Sequence, residues 1–258
     1  MQTISRAIRL LRCFEGGAKI LSLAELVRLL DLNKVTVHRL AQSLVAEGML
    51  RQDRATAQYS ISYGLLELGR ELLGPRGVIS AARPILNRAA EATEETVMLN
   101  LRDGGAAVIV DEIVSKHPVR YSIGTGFQAD LRLGAAGNAI LAALPEAEVE
   151  ALLARPDPQR KSGVAYTAAA MRTRLQEIRQ AGFARSVAHR ASGAIGFAAA
   201  FFGPEGTVIG AVAIVHPETR NIEAERQAFL SETVMETAHE MTNALRFSAP
   251  EGLKETGT

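Results

Sequence analysis

Residues 22–45 read SLAELVRLLDLNKVTVHRLAQSLV, and this stretch decides the fold of the N-terminal part. Ser22-Leu23-Ala24-Glu25 is a capping box, in which the serine oxygen accepts from the third helical amide and the glutamate reaches back to the serine amide. Leu23, Leu26, Val27 and Leu30 then recur at spacings of three and four, the buried stripe of a short helix. Asp31-Leu32-Asn33 breaks that helix, and Asn33 suits the cap of the next one. A second stripe follows in Val37, Leu40, Ala41, Leu44 and Val45, stopped at Gly48. Two short helices joined by so tight a turn predict a helix-turn-helix.

Upstream, Ile4, Ala7, Ile8, Leu11 and Phe14 mark one apolar face of a first helix that ends at Gly16-Gly17. Cys13 lies near that face and reads as a small buried hydrophobe. Downstream, Arg51 to Ile61 is short and basic and reads as a β-hairpin. The three helices and the hairpin together predict a winged helix-turn-helix over residues 1–64.

In this motif the helix after the turn enters the major groove. Its solvent face carries Lys34, Thr36, His38, Arg39, Gln42 and Ser43, side chains that bond phosphates and base edges. Ser22 joins them at the preceding helix start, and Arg51 and Arg54 on the hairpin suit flanking phosphates or the minor groove. On an isolated helix these residues would mean only a solvated face; the motif around them gives them meaning. Charge agrees. The chain of 258 residues has a net charge of +1, but residues 1–76 hold +4 and the remainder −3, a basic module joined to a mildly acidic one.

The rest of the chain alternates helices and hairpins, which indicates α+β with an antiparallel sheet. A helix from Leu65 to Leu73 leads to a break at Gly74-Pro75-Arg76-Gly77, so residues 65–79 are expected to be a linker helix and linker. A helix over Ser80–Thr93 has Pro84 in its first turn. Strands follow at Thr96–Leu101 and Ala107–Asp111 around Asp103-Gly104-Gly105, and at Val119–Ile123. Ala135–Leu144 reads as a small-residue helix, Arg155–Pro158 as a loop, and Thr167 as the cap of a helix to Gln180 closed by Gly182. Phe183–Val187 is a short strand. Ile195–Phe202 and Val208–Val215 form a hairpin around Gly203–Gly206, and a last helix spans Ile222–Phe247. The second domain is thus expected over residues 80–250, with a tail at 251–258.

The stretches Ser5-Arg6-Ala7, Leu21 to Leu26 and Thr36-Val37-His38-Arg39-Leu40, with Ala181 to Ala184, Gly193, and Gly206 with Val208–Pro217 and Arg220, make the chain resemble IclR-type bacterial transcription regulators over nearly its whole length. The resemblance implies a DNA-binding head, a linker helix, and a GAF-like effector-binding domain. It also implies a homodimer or homotetramer on operator DNA. The sequence departs from the family pattern with Asp31 where the turn usually has Gly. Gly134, Gly196 and Ala213 stand at usual small polar positions, and Ala188-His189-Arg190 replaces common acidic residues.

The effector-binding candidates are Met98, Tyr121, Ala135, Ala136, Gly196, Ala198, Ala213 and Val215. Small residues there are expected to enlarge an apolar cavity, pointing to an aromatic or otherwise apolar organic acid, its carboxylate facing Arg120 or Arg132.

No enzyme is indicated. Gly124-Thr125-Gly126 lacks the third glycine of a dinucleotide loop, there is no nucleophile elbow, and Ser192 beside Gly193 reads as a loop residue. Adjacent Asp111 and Glu112 point to opposite faces of a strand. The histidines His38, His117, His189, His216 and His239 show no paired ligand spacing, and no cofactor or metal is expected. A single cysteine excludes a disulfide framework. No apolar run reaches the ~20 residues that span a bilayer, so a cytoplasmic protein without membrane contact is expected. The function read here is a ligand-responsive regulator, repressor or activator, of a catabolic operon. The alternative is a small-molecule sensor acting through protein partners, for which the basic face from Lys34 to Gln42 would have no use.

Overall fold

The computed structural model describes residues 2–15, 19–69, 77–156, 167–187, 193–220 and 223–247. The chain divides into two compact units, Met1–Gly74 and Pro75–Thr258.

The first unit holds α1 (Gln2–Arg12), α2 (Leu23–Leu30), α3 (Lys34–Ala46), an antiparallel pair β1 (Leu50–Gln52) and β2 (Tyr59–Ile61), and α4 (Gly64–Leu68). An isolated antiparallel bridge from Leu21 to Tyr59 brings a third chain segment to the wing. The core is Leu10, Phe14, Leu26, Leu30, Val37, Leu40, Ala41, Leu50 and Tyr59. The predicted face of α1 is corrected: Ile4 and Ile8 are exposed, and Leu10 is the fully buried residue. Cys13 is half-buried against this core, its Sγ 3.4 Å from the Arg9 carbonyl oxygen, and burial raises its thiol pKa.

The second unit has α5 (Val78–Thr93), β3 (Thr96–Asp103), β4 (Ala106–Ile113), β5 (Gln128–Asp130), α6 (Gly134–Ala142), α7 (Glu146–Leu153), α8 (Ala168–Ala181), β6 (Ala184–Val187), β7 (Ala194–Phe202), β8 (Val208–Pro217) and α9 (Ala224–Phe247). The six strands form one sheet in the order β5-β4-β3-β8-β7-β6, every neighbour antiparallel.

Strands β7 and β8 read AIGFAAAFF and VIGAVAIVHP, apolar except for His216, as a sheet covered on both faces requires. Their period of two is one of size. Phe197, Ala199, Phe201, Val212 and Ile214 join Val97 and Leu99 under α5 and α9. Ala198, Ala200, Ala211 and Ala213 join Met98 on the opposite face under α6. Each fully buried Leu, Ile, Val, Met or Phe contributes roughly 1.5–3 kcal/mol.

Two expectations for this unit are corrected. Val119–Ile123 forms no strand; the fifth strand is Gln128–Asp130. Pro84 lies in the second turn of α5, because the helix begins at Val78. Helix α7 was not foreseen. Gly16-Gly17, the helix end and linker over 70–76, Asp157-Pro158, Ala188-His189-Arg190, Ser192, the start of the last helix at Ile222 and the tail at 251–258 lie outside the described residues.

Candidate nucleic-acid interface and effector face

The turn between α2 and α3 is built from local chemistry. Ser22 N donates to Glu25 Oε2 at 2.8 Å and Glu25 N to Ser22 Oγ at 3.3 Å, completing the capping box. The Ser22 hydroxyl also donates to Glu25 Oε2 at 2.7 Å. These bonds to Ser22 hold the Glu25 carboxyl below its usual range. Ser22 therefore acts as the cap of α2, and its hydroxyl proton is engaged there. Asp31 adopts a left-handed conformation, φ 52°, which is why glycine suits this position. Asn33 Oδ1 accepts from Thr36 N at 2.8 Å and caps α3.

Lys34, His38, Arg39 and Ser43 are exposed on α3, with Thr36 half-buried. Val35, 70% exposed between them, went unnoticed in the sequence; an exposed aliphatic on such a helix suits a thymine methyl. Gln42 behaves differently. Its Nε2 donates to Gln52 Oε1 at 2.9 Å and to Tyr59 Oη at 3.2 Å. Both amide hydrogens thus tie α3 to the wing, so Gln42 is a strut and its reading as a base contact is withdrawn. Arg51 and Arg54 are exposed on the wing, Arg51 Nε donating to Ser60 Oγ at 2.8 Å across the hairpin. The wing turn is closed by Asp53, whose carboxylate accepts from the Thr56 amide and hydroxyl and from Ala55 N, which lowers its pKa.

In the second unit, register brings the other candidates together. Met98, Ala213, Ala198 and Ala184 stand side by side across β3, β8, β7 and β6. One step along, Thr96, Val215, Gly196 and Ser186 form the next row. Ala135 and Ala136 of α6 cover these rows, and Tyr121 and Ile123 pack at their side. All eight sequence candidates therefore share one face. Ser186 and Asn100, polar and buried on this face, were missed. Asn100 Oδ1 has no partner among the described residues. Only the register, not local sequence, sets Ser186 beside Gly196.

The expectation that small residues enlarge a cavity is corrected at Gly196. A Cβ there would lie 3.5 Å from Ala135 Cβ and 3.5 Å from Ser186 Oγ, ordinary van der Waals contact, so the missing side chain leaves room for about a methyl group under α6 and not for a larger cavity. The start of α6 has Leu133 at its cap position and no capping side chain, leaving its first amides to seek partners elsewhere.

Arg132 does not await a ligand. It is 7% exposed, pairs in fork geometry with Asp130, and donates to the carbonyls of Arg155 and Pro156 at 2.9 Å each. Burial opposes charge on Asp130, but the bonds from Arg132 outweigh it and lower the pKa of the carboxyl. Arg120 is exposed and donates to the His117 carbonyl. Glu112, in register with Met98, clasps the loop beside the face: its carboxylate accepts from Ser122 Oγ at 2.8 Å, Ile123 N at 3.1 Å and Gly124 N at 3.2 Å. Among the described residues no three His, Cys, Asp or Glu side chains are arranged to hold a metal ion, and no helix is long and apolar enough to cross a membrane.

The model of the IclR helix-turn-helix domain matches residues 3–54, and that of the bacterial transcriptional regulator IclR C-terminal domain matches residues 71–243. The chain is 28% identical over 251 residues to the HTH-type transcriptional repressor AllR of Escherichia coli, covering 96% of this chain and 92% of that one. It is 27% identical over 248 residues to the HTH-type transcriptional regulator KipR of Bacillus subtilis, covering 96% and 98%. Among solved structures, an IclR homologue from Microbacterium hydrocarbonoxydans in complex with 4-hydroxybenzoate shares the fold with a TM-score of 0.79 at 21% identity, over 95% of this chain and 99% of that one. With helix-turn-helix and C-terminal domain both matched, the chain belongs to the IclR family of DNA-binding transcriptional regulators, which are not enzymes.

Proposed function

We propose that this protein is a cytoplasmic, ligand-responsive repressor or activator of a catabolic operon, in which residues 1–64 read DNA, 65–79 link, and 80–250 bind a small organic acid. The observation that carries the reading is the exposed row Lys34, Val35, His38, Arg39 and Ser43 on a helix capped at the turn of a helix-turn-helix. Two copies of that helix, in a homodimer or homotetramer, enter successive major grooves. Arg39 reads a base edge, Lys34 and Ser43 hold phosphates, and Arg51 and Arg54 hold the flanking backbone or minor groove.

The effector lies on the face of Met98, Ala198, Ala213 and Val215. Its carboxylate is held by the uncapped amides where α6 begins, at Ala135 and Ala136, an anion site by geometry and dipole. Ser186 adds a hydroxyl, and Tyr121 with the aliphatic rows takes the apolar body. An apolar lining favours an aromatic acid over a two- or three-carbon oxoacid, and the relative of the same fold that holds 4-hydroxybenzoate supports that class. Binding there biases the geometry of the two DNA heads through the linker.

A gel shift on the DNA upstream of the protein's own gene tests the DNA reading. Sequence-selective binding is expected, and Arg39→Ala should weaken it by about 1–3 kcal/mol at one base position. Equal affinity for that DNA and for a scrambled duplex would refute it. A thermal-shift panel tests the effector reading: stabilisation by pyruvate or glyoxylate and by no aromatic acid would refute the assigned class.

A further inference from the structure

Successive side chains of a helix are turned by about 100° around its axis. The buried stripe of α3 is Val37, Leu40 and Ala41, with Leu44 packed beside them. The direction opposite that stripe falls on Val35, with Arg39 turned about 40° to one side and Gln42 about 20° to the other. Gln42 is tied to the wing. The centre of the outward face is therefore an aliphatic side chain, 70% exposed and outside the core cluster. Nothing structural asks for it there, since β-branched valine forms helix less well than alanine. Around it stand the exposed Lys34, His38 and Arg39, and α3 carries no acidic residue, so this face suits a polyanion.

Resting on the reading of residues 1–64 as a DNA-binding head, we propose that Val35 is a specificity-determining residue that reads a thymine through its 5-methyl group. In the major groove guanine, adenine and cytosine present nitrogen and oxygen donors and acceptors; thymine alone adds a methyl. An aliphatic side chain neither donates nor accepts. Against another base it would strip water from a polar edge and return no bond. Cytosine is rejected on that ground, because its amino group would lose water and meet no acceptor. Against thymine, Val35 buries methyl on methyl. Arg39 follows one turn later, about 6 Å along the axis, and DNA rises about 3.4 Å per base pair. With α3 in the groove, the thymine read by Val35 stands about two base pairs from the base read by Arg39.

The test starts from duplexes that the full chain selects out of a random library. Each thymine of the selected site is replaced in turn by deoxyuridine, which removes the methyl and keeps the pairing. Gel shifts at one fixed salt concentration give Kd for the wild type and for Val35→Ala. The wild type is expected to lose about fourfold in affinity at one thymine per half-site, the worth of one buried methyl group. Val35→Ala is expected to bind the thymine and deoxyuridine duplexes alike at that position. An effect of Val35 on helix stability alone would leave the discrimination in place. Val35 is exposed and alanine favours helix, so the variant folds, as circular dichroism should confirm. The position relaxed by Arg39→Ala is expected about two base pairs away. Selective binding with no deoxyuridine-sensitive thymine, a sensitivity that Val35→Ala retains, or a gap of more than about four base pairs to the Arg39 position overturns this inference and leaves the DNA reading standing. Failure to select any sequence overturns both.

Discussion

Replacing Gly137 by alanine ought to stabilise α6 on propensity alone, by about 1 kcal/mol, since glycine is a poor residue within a helix. The structure reverses the sign. A Cβ at Gly137 would stand 2.7 Å from the Leu131 carbonyl oxygen and 3.0 Å from Leu131 C and Cα. That backbone cannot easily withdraw, because the same carbonyl accepts from Asn138 Nδ2 at 3.1 Å and the next residue is the buried Arg132, bound to Asp130 and two carbonyls. A 2.7 Å approach to fixed backbone takes overpacking into the upper part of its usual range, about 2–3 kcal/mol, which outweighs the helical gain of about 1 kcal/mol and leaves a net loss of about 1–2 kcal/mol. For a unit of this size that corresponds to a fall of about 2–8 °C in Tm.

Gly196→Ala is the matched control. Its Cβ would meet Ala135 Cβ, Ser186 Oγ and Val215 Cγ2 at 3.5, 3.5 and 3.8 Å, ordinary contacts, and alanine loses less backbone entropy in a strand by about 0.5–1 kcal/mol. Its Tm should stay level or rise. Differential scanning calorimetry of both variants decides the matter. A Gly137→Ala protein as stable as the wild type, or equal losses in both, would show that α6 is not pressed onto the Leu131 backbone as described.

Gln42→Ala leaves the buried Tyr59 hydroxyl and Gln52 without a donor; a loss of about 1–3 kcal/mol is expected, with DNA affinity lowered alike for specific and random duplexes in a gel shift. Asp31→Gly relieves a left-handed non-glycine residue and should stabilise the first unit by about 0.5–1 kcal/mol in urea titration, with DNA affinity kept. His216 is fully buried, its Nε2 without a partner among the described residues, and burial depresses its pKa against the opposing pull of the Pro217 carbonyl and Glu95. The unfolded chain binds that proton first, so stability is full above about pH 6.5 and falls as the pH drops from there through the folded pKa. In His216→Phe the pH dependence of Tm over that window should flatten, and an unchanged slope would assign it to other groups.

The first unit was legible because its signals are local. Both caps of the turn, at Ser22 and Asn33, and the stripe of α3 are written within four residues of where they act. The face of α1 was misread because Ile4-Ile8-Leu11 and Ala7-Leu10-Phe14 both satisfy helical spacing, and packing on α3 chose the second. The absent strand at Val119–Ile123 is instructive in another way. Its alternation is real: Tyr121 and Ile123 pack on the core while Arg120 and Ser122 face out. A ladder is not needed for that, because the Glu112 carboxylate takes the amides of Ile123 and Gly124 that a neighbouring strand would have taken.

The effector face shows where local reading stops. Apolar positions, and the small size of Gly196, Ala198 and Ala213, are visible in the sequence. What they do depends on the distance of α6 from the sheet, and 3.5 Å between Ala135 and the missing Cβ of Gly196 means that the space gained there is about that of one methyl group. Arginine misled in the same manner. Arg132 sits two residues from Asp130, close enough in the chain to suggest the fork that holds it, yet it is the burial of the pair that takes it out of reach of a ligand. With that guanidinium engaged, the partners proposed for the effector's carboxylate are the backbone N–H groups where α6 begins, which no side chain caps. Those groups carry no side-chain signature, so the sequence points to the arginines and is silent about backbone donors.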